Sequence, residues 1–405
     1  MRLAWRQALR AGLSPIIAVL AAGAAWAAVP PSADAASPYD LPVMLPLTGG
    51  AAFVGDGERA GLEALQELVN NAGGIGGRPL HLVFHDDETS PQMAVQLATT
   101  ILASGTPVLL GSTITALCNA EAPLMAAGPV MWCYSPGIHP PPGGYVFSAE
   151  ISTSDLARAL IRYFRIKGWT RLGVMTSTDA SGQDAERGLD ATVKLPENQG
   201  VSIVAREHFN PSDVSVAAQI ANIKAARPQA FIAWSTGAPV ATIFKGLAQE
   251  GLRIPVGTTN GNMSNAQMKQ YAAFLPAELY IPTGPYTPHA GQFRLDPRVE
   301  AAQQAMYRVM AAHHLPIDNQ SVTPWDATMI VIEALRHLGT DASAKAVRDY
   351  VDRLTDYAGV WGVYDFKAVP QRGIGLDDTV VTRWDPKDER WTWVSRPGGV
   401  PLAGP

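Results

Sequence analysis

Charge is scarce in this 405-residue chain: Asp, Glu, Lys and Arg make up 17% of it, and the formal net charge is −5. That balance gives no basic surface for nucleic acid, and mild acidity alone reads as solubility. Cysteine is nearly absent: Cys118 and Cys133 are the two. No histidine or further cysteine stands at ligand spacing beside them, so neither a metal nor a cofactor is expected. Catalytic signatures are missing as well. There is no G-x-S-x-G elbow, no H-E-x-x-H and no S-x-x-K with its partners, which leaves an exported hydrolase as a weak alternative. His313-His314 reads as a solvated pair on a helix, and Asp86-Asp87-Glu88 as an acidic loop.

Long apolar runs are missing except at the N-terminus. There Arg2, Arg6 and Arg10 precede "AGLSPIIAVLAAGAAWA", and Ala25-Trp26-Ala27 fits the small-x-small cleavage rule. Residues 1–27 therefore read as a secretory signal. A membrane anchor is the weaker alternative, because the segment is short. Cleavage removes three arginines and no acid, leaving a more acidic, exported, periplasmic protein. In an oxidising compartment Cys118 and Cys133 read as one disulfide, with two buried free thiols as the alternative.

The length allows two substantial domains, and the pattern alternates strand and helix. "LPVMLPLT" is an apolar strand, and "DGERAGLEALQELVNNA" carries Leu62, Leu65, Leu68 and Val69 at helical spacing. "PLHLVFHDDE" is a strand. "SPQMAVQLATTILAS" is a helix capped by Ser90 with Pro91 at its first position. "PVLLGS", a helix over 115–127 and "PVMWCYS" follow. A second array starts with a helix capped by Ser154 and runs through "RLGVMTST", "VSIVAREHF", "QAFIAWS", "RIPVGTT" and "ELYIPTG". A helical segment spans about 296–354, and the tail folds as a hairpin turning at Asp385-Pro386-Lys387-Asp388. Two tandem βα arrays imply α/β architecture: two doubly wound parallel sheets with helices on both faces.

"NNAGGIGGRPL", residues 70–80, has the look of a phosphate cradle. Its position argues otherwise. A cradle follows a strand and opens a helix, where N–H groups and the dipole meet phosphate. These glycines follow a helix and precede a strand, at the electronegative end of the helix dipole. Gly73 suits a helix C′ position, so the stretch reads as a turn.

The chain resembles the Leu/Ile/Val-binding (branched-chain amino-acid) family of periplasmic solute-binding proteins of ABC transporters. The stretch from "LTGGAAFVGDGERAG" through "NNAGGIGGRPLHLVFHDDE", then "IKAARPQAFIAW" and "TPWDATMIVIEAL", carry the resemblance over nearly the whole mature chain. It implies the type I periplasmic binding fold, with two lobes joined by three chain crossings and closing like a clamshell on one solute. Lobe I would be 39–149 plus 283–378, and lobe II 150–282 plus 379–405. It also implies delivery to the membrane permease subunits of an ABC transporter.

Mapped on this sequence, the family's site falls on Phe53-Val54, on Ser112, Thr113 and Thr115 for a ligand carboxylate, and on Gly137 and His139. In the second lobe it falls on Ser181 and Thr236, where the family has tyrosines, and near Asn260, where it has the acid that meets an ammonium. Asn260 offers a neutral oxygen only. These departures favour a carboxylate-bearing ligand without an ammonium, an aromatic or aliphatic organic acid. An amino acid, an amide or a urea-like compound is the near alternative, and a ligand-sensing receptor module of the same fold is another.

Overall fold

The computed structural model describes residues 37–289 and 293–402; the predicted signal segment, residues 1–27, lies outside them. The first array runs β1 (Tyr39–Leu45), α1 (Ala52–Asn71), β2 (Leu80–Asp86), α2 (Pro91–Ala103), β3 (Val108–Leu110), α3 (Thr115–Glu121), β4 (Val130–Cys133) and β5 (Val146–Ser148). Its five strands form one all-parallel sheet in the order β2-β1-β3-β4-β5. The residues of β3, β4 and β5 are all buried, as expected for a parallel sheet covered on both faces, while the edge strand β2 is half-buried.

The second array runs α4 (Thr153–Ile166), β6 (Arg171–Ser177), α5 (Ala180–Val193), β7 (Ser202–Phe209), α6 (Ala217–Ala225), β8 (Ala230–Trp234), α7 (Pro239–Gln249), β9 (Val256–Thr258), α8 (Asn265–Gln270) and β10 (Leu279–Thr283). The chain then returns to the first sheet through α9 (Pro297–Ala312), α10 (Asn319–Leu338) and α11 (Ala344–Val351), which pack on α1 and β4. A short pair, β11 (Tyr357–Ala358) and β12 (Val363–Tyr364), precedes the tail hairpin β13 (Val380–Asp385) and β14 (Arg390–Trp393). That hairpin completes a seven-stranded sheet, β14-β13-β10-β9-β8-β6-β7, antiparallel only at its tail strands. Three passages of the chain thus join two α/β sheets.

Local chemistry explains most element ends. Ser90 accepts the Met93 N–H, with Pro91 opening α2. Two expectations are corrected. The cap of α4 is Ser152, which accepts from Asp155, rather than Ser154. The helix expected over 115–127 stops at Glu121 and continues as a 3-10 turn, because Pro123 has no N–H to donate. The glycine stretch is a turn as expected: Gly73 and Gly74 have φ of +91° and +69°, and the Gly74 N–H closes on the Val69 carbonyl.

Packing between α1 and α10 is close. A Cβ on Gly61 would lie 2.1 Å from the Ser321 carbonyl oxygen, so only glycine fits there. Trp132 stacks on Phe147 at 5.2 Å, and both meet Phe366 edge-on, tying the returning chain to the first sheet. Cys118 of α3 and Cys133 of β4 form a disulfide across 15 residues, and both are fully buried. Replacing both with serine should lower stability by about 3 kcal/mol through the freed unfolded chain. Urea unfolding with and without reductant measures this; equal midpoints for variant and oxidised wild type would contradict it. Among the described residues no helix is long and apolar enough to cross a membrane.

Candidate functional site

The carboxyl ends of the strands in both sheets open on one cleft of about 220 Å³. This is where open α/β sheets place ligands, because loops and helix N-termini gather there. From the first sheet come the turn after β1 with the start of α1, Thr113–Ala116 after β3, and Tyr134–Gly137 after β4. From the second come Asp179–Ser181 after β6, Pro211, Trp234, Thr236, Thr259 and Gly261. Glu150, just after β5, and Asn319, at the start of α10, close the floor.

Six of the residues expected from sequence meet here: Val54, Thr113, Thr115, Gly137, Ser181 and Thr236. Thr115 Oγ1 and Ser135 Oγ lie 2.7 Å apart. One of their two hydroxyl protons joins them, so the other is free for a solute. Gly137 is glycine for a spatial reason: a Cβ there would lie 2.7 Å from Thr115 Oγ1. On the opposite wall Ser181 Oγ and Thr236 Oγ1 are 3.3 Å apart.

The structure does not bring the other four to the cleft. Phe53 is half-buried on the first turn of α1, and its neighbour Val54 faces inward instead. Ser112 is buried and donates to Asp87 Oδ2 at 2.8 Å. His139 lies in a separate apolar hollow beside Ile138 and Tyr145, where its Nε2 meets Asp184 Oδ1 at 2.7 Å. Asn260 is fully buried one layer behind the wall and donates to Glu150 Oε2 at 3.2 Å. Thr113 lines the cleft, but its hydroxyl is committed to Glu58 Oε2 at 2.5 Å. A ligand carboxylate could therefore claim Thr115 with Ser135, not the whole Ser112–Thr115 run.

Glu58 and Glu150 are what the sequence reading missed. Glu58 stands four residues after Val54, hence on the same face of α1, a signal that was present. Glu150 had none: it is a lone acid between Phe147 and Ile151. Burial pushes the Glu58 carboxyl well above the usual range, against the Thr113 hydrogen bond. Burial also raises Glu150, opposed by donors from Asn319, Thr323 and Asn260 and by the Arg372 charge. Asp179 is the third acid of the lining; no Lys, Arg or His is among its described residues. The acidic loop after β2 is satisfied locally: Asp86 accepts from Thr48 and from the Leu47 and Glu88 N–H groups. No group of three or more His, Cys, Asp or Glu among the described residues could hold a metal ion.

The chain is similar to the Leu/Ile/Val-binding protein homolog 3 of Brucella melitensis biotype 1, 32% identical over 163 residues; that match spans 40% of this chain and 38% of the relative. Among solved structures it is similar in fold to an extracellular ligand-binding receptor from Rhodopseudomonas palustris HaA2, with a TM-score of 0.76 and 20% identity over 88% of this chain and 99% of the other. It is also similar to the branched-chain amino acid transporter substrate binding protein LivJ from Streptococcus pneumoniae in complex with isoleucine, with a TM-score of 0.72 and 16% identity over 88% and 99%. The periplasmic binding protein family matches residues 38–389, and the chain belongs to that family.

Proposed function

We propose that this chain is the extracytoplasmic solute-binding component of an ABC importer. It captures a small solute in the cleft by closure of lobe I, 39–149 plus 283–378, on lobe II, 150–282 plus 379–405. It then delivers the solute, chemically unchanged, to the permease subunits at the membrane. Family membership supports this role, and a signal at residues 1–27 would place the protein in the periplasm.

The solute we infer has an oxygen acceptor at one end and N–H groups at the other: an amino acid, an amide or a urea-like compound. The observation that carries this is Glu150, a buried acid in a cleft with no lining cation. A nitrogen-free organic acid, favoured by Asn260 alone, would set a group without N–H donors against the buried acids Glu58 and Glu150 and leave their oxygens no solute donor to accept from. A solute with N–H groups meets those acids, and its acceptor end reaches Thr115 and Ser135. The branched-chain amino acids named for the relatives belong to this class. Size agrees as well: a cavity of about 150 Å³ holds benzene, so about 220 Å³ takes a solute not much larger.

Thermal-shift screening against sets matched in carbon skeleton (acid, amide, amine and amino acid) tests the reading. Members with N–H groups should raise the melting point as RT ln(1 + [L]/Kd), and the nitrogen-free acids should not. A shift from the acids alone would refute the assignment. Thr115→Val should weaken binding of the best compound by about 1–3 kcal/mol, read by calorimetric titration. Unaltered affinity would remove Thr115 from the contacts.

A further inference from the structure

One buried cation lies close to this cleft. Arg372 is 6% exposed, in the loop that brings the chain back toward β13. Its Nη1 donates to Ser148 Oγ at 2.7 Å and to the Glu150 carbonyl. Its Nη2 donates to the Ile138 carbonyl at 2.7 Å and to that of Pro136 at 3.4 Å. One planar group thus ties together the loop after β4 and the segment after β5, and holds both to its own loop, 222 to 236 residues further along the chain. Gln371 strengthens the same clamp: its Nε2 donates to the Val146 carbonyl at 2.9 Å, and its own carbonyl accepts from the Ser148 N–H.

We propose that Arg372 is the positioning residue of the cleft, fixing the Ser135–Gly137 loop and the Glu150 backbone, and so the carboxylate it carries, from behind through one guanidinium. The proposal rests on Glu150 facing the solute. It gives Arg372 two separable duties. Its fork geometry sets the loop, because five N–H donors in a plane reach several carbonyls that a single ammonium cannot. Its charge opposes burial at Glu150. The other titratable groups around this centre are Glu58 and Tyr286, whose charges act on or feel Glu150, and Asp155 and Asp184, which face Arg372. Burial lowers Arg372 itself to about 10, so it stays cationic at neutral pH. A wall held in this way is set before the solute arrives, which reduces the ordering cost of capture.

Two measurements on the solute-free protein separate these duties. Carbon-13 NMR of labelled glutamate carboxyls, with Glu150→Gln identifying the signal, follows the Glu150 titration in wild type, Arg372→Lys and Arg372→Gln. Losing the charge in Arg372→Gln should raise the Glu150 midpoint by about one pH unit or more, and Arg372→Lys should restore it. Hydrogen exchange at residues 137–139 should quicken about tenfold in both variants, since lysine keeps the charge but not the fork. If Arg372→Gln does not fold, Arg372→Met takes its place, and Arg372→Lys alone decides the loop. A Glu150 midpoint common to all forms, or loop exchange no faster than in wild type, overturns the proposal. Neither measurement uses a solute, so a failed compound screen and a failed Arg372 experiment are told apart.

Discussion

Glu150→Gln is expected to weaken capture of an N–H-bearing solute by about 2–5 kcal/mol, the range for losing one partner of a buried charged hydrogen bond. The change conserves shape, so geometry alone does not produce the loss. Glu150 Oε1 accepts from Asn319 Nδ2 and Thr323 Oγ1, each at 2.8 Å, and Oε2 accepts from Asn260 Nδ2 at 3.2 Å. A carboxylate satisfies three donors and a solute N–H besides. A glutamine places its own NH2 against one of those donors and has a single oxygen for the rest. The variant should also lose about 1–3 kcal/mol of folding stability from the stranded donors. Calorimetric titration with the best compound of the screen, beside urea unfolding, reads both quantities. Retained affinity with lowered stability would make Glu150 a framework group and move the nitrogen-binding function to Glu58 or Asp179.

Glu121→Gln is expected to do the reverse and stabilise the protein in alkaline buffer. Glu121 ends α3 and is fully buried, and neither of its oxygens takes a hydrogen bond. Ser112, beside it, gives its proton to Asp87. Burial pushes the Glu121 carboxyl up to about 8. The folded chain therefore holds a proton there that the unfolded chain has released above the usual glutamate range. This contribution to stability is complete below about pH 4.5 and is lost as pH rises through about 8. Glutamine imitates the protonated acid and cannot ionise. Near pH 5 the two proteins should agree within about 1 kcal/mol, while at pH 8.5 the variant should be more stable by about 3–5 kcal/mol. Asp318, Asp326 and Asp378, each raised to about 6 by burial, tilt both curves alike, so the difference isolates Glu121 together with the Asp87 charge that acts on it. Parallel curves from pH 5 to 8.5 would contradict this account.

The sequence made the architecture legible because periodicity and punctuation are local. Apolar strand runs, the Ser90-Pro91 helix start and the Gly73-Gly74 turn each act within a few residues. The strand-end positions were legible too, since chain order puts Thr113, Thr115 and Gly137 at the carboxyl edge of one sheet, and Ser181 and Thr236 at that of the other. What a side chain meets once there was not. Ser112 turned to Asp87, His139 to Asp184, and Asn260 to Glu150, each partner between 25 and 110 residues away. Arg372 lies 222 residues from the Glu150 carbonyl it holds. Such pairings depend on which face of which element is buried, and periodicity fixes only the first half of that question. The solute proposed above differs from the organic acid expected from sequence for the same reason: Asn260 offered a neutral oxygen, while the buried acid Glu150 lies beside it.

A crystal structure of the protein with the best compound of the screen tests the central claim most directly. The account predicts the intact compound between the two sheets, a nitrogen about 3 Å from a Glu150 carboxylate oxygen, and its acceptor end at Thr115 and Ser135. A compound bound outside the cleft, a nitrogen-free group facing Glu150, or a chemically altered product in its place would contradict it.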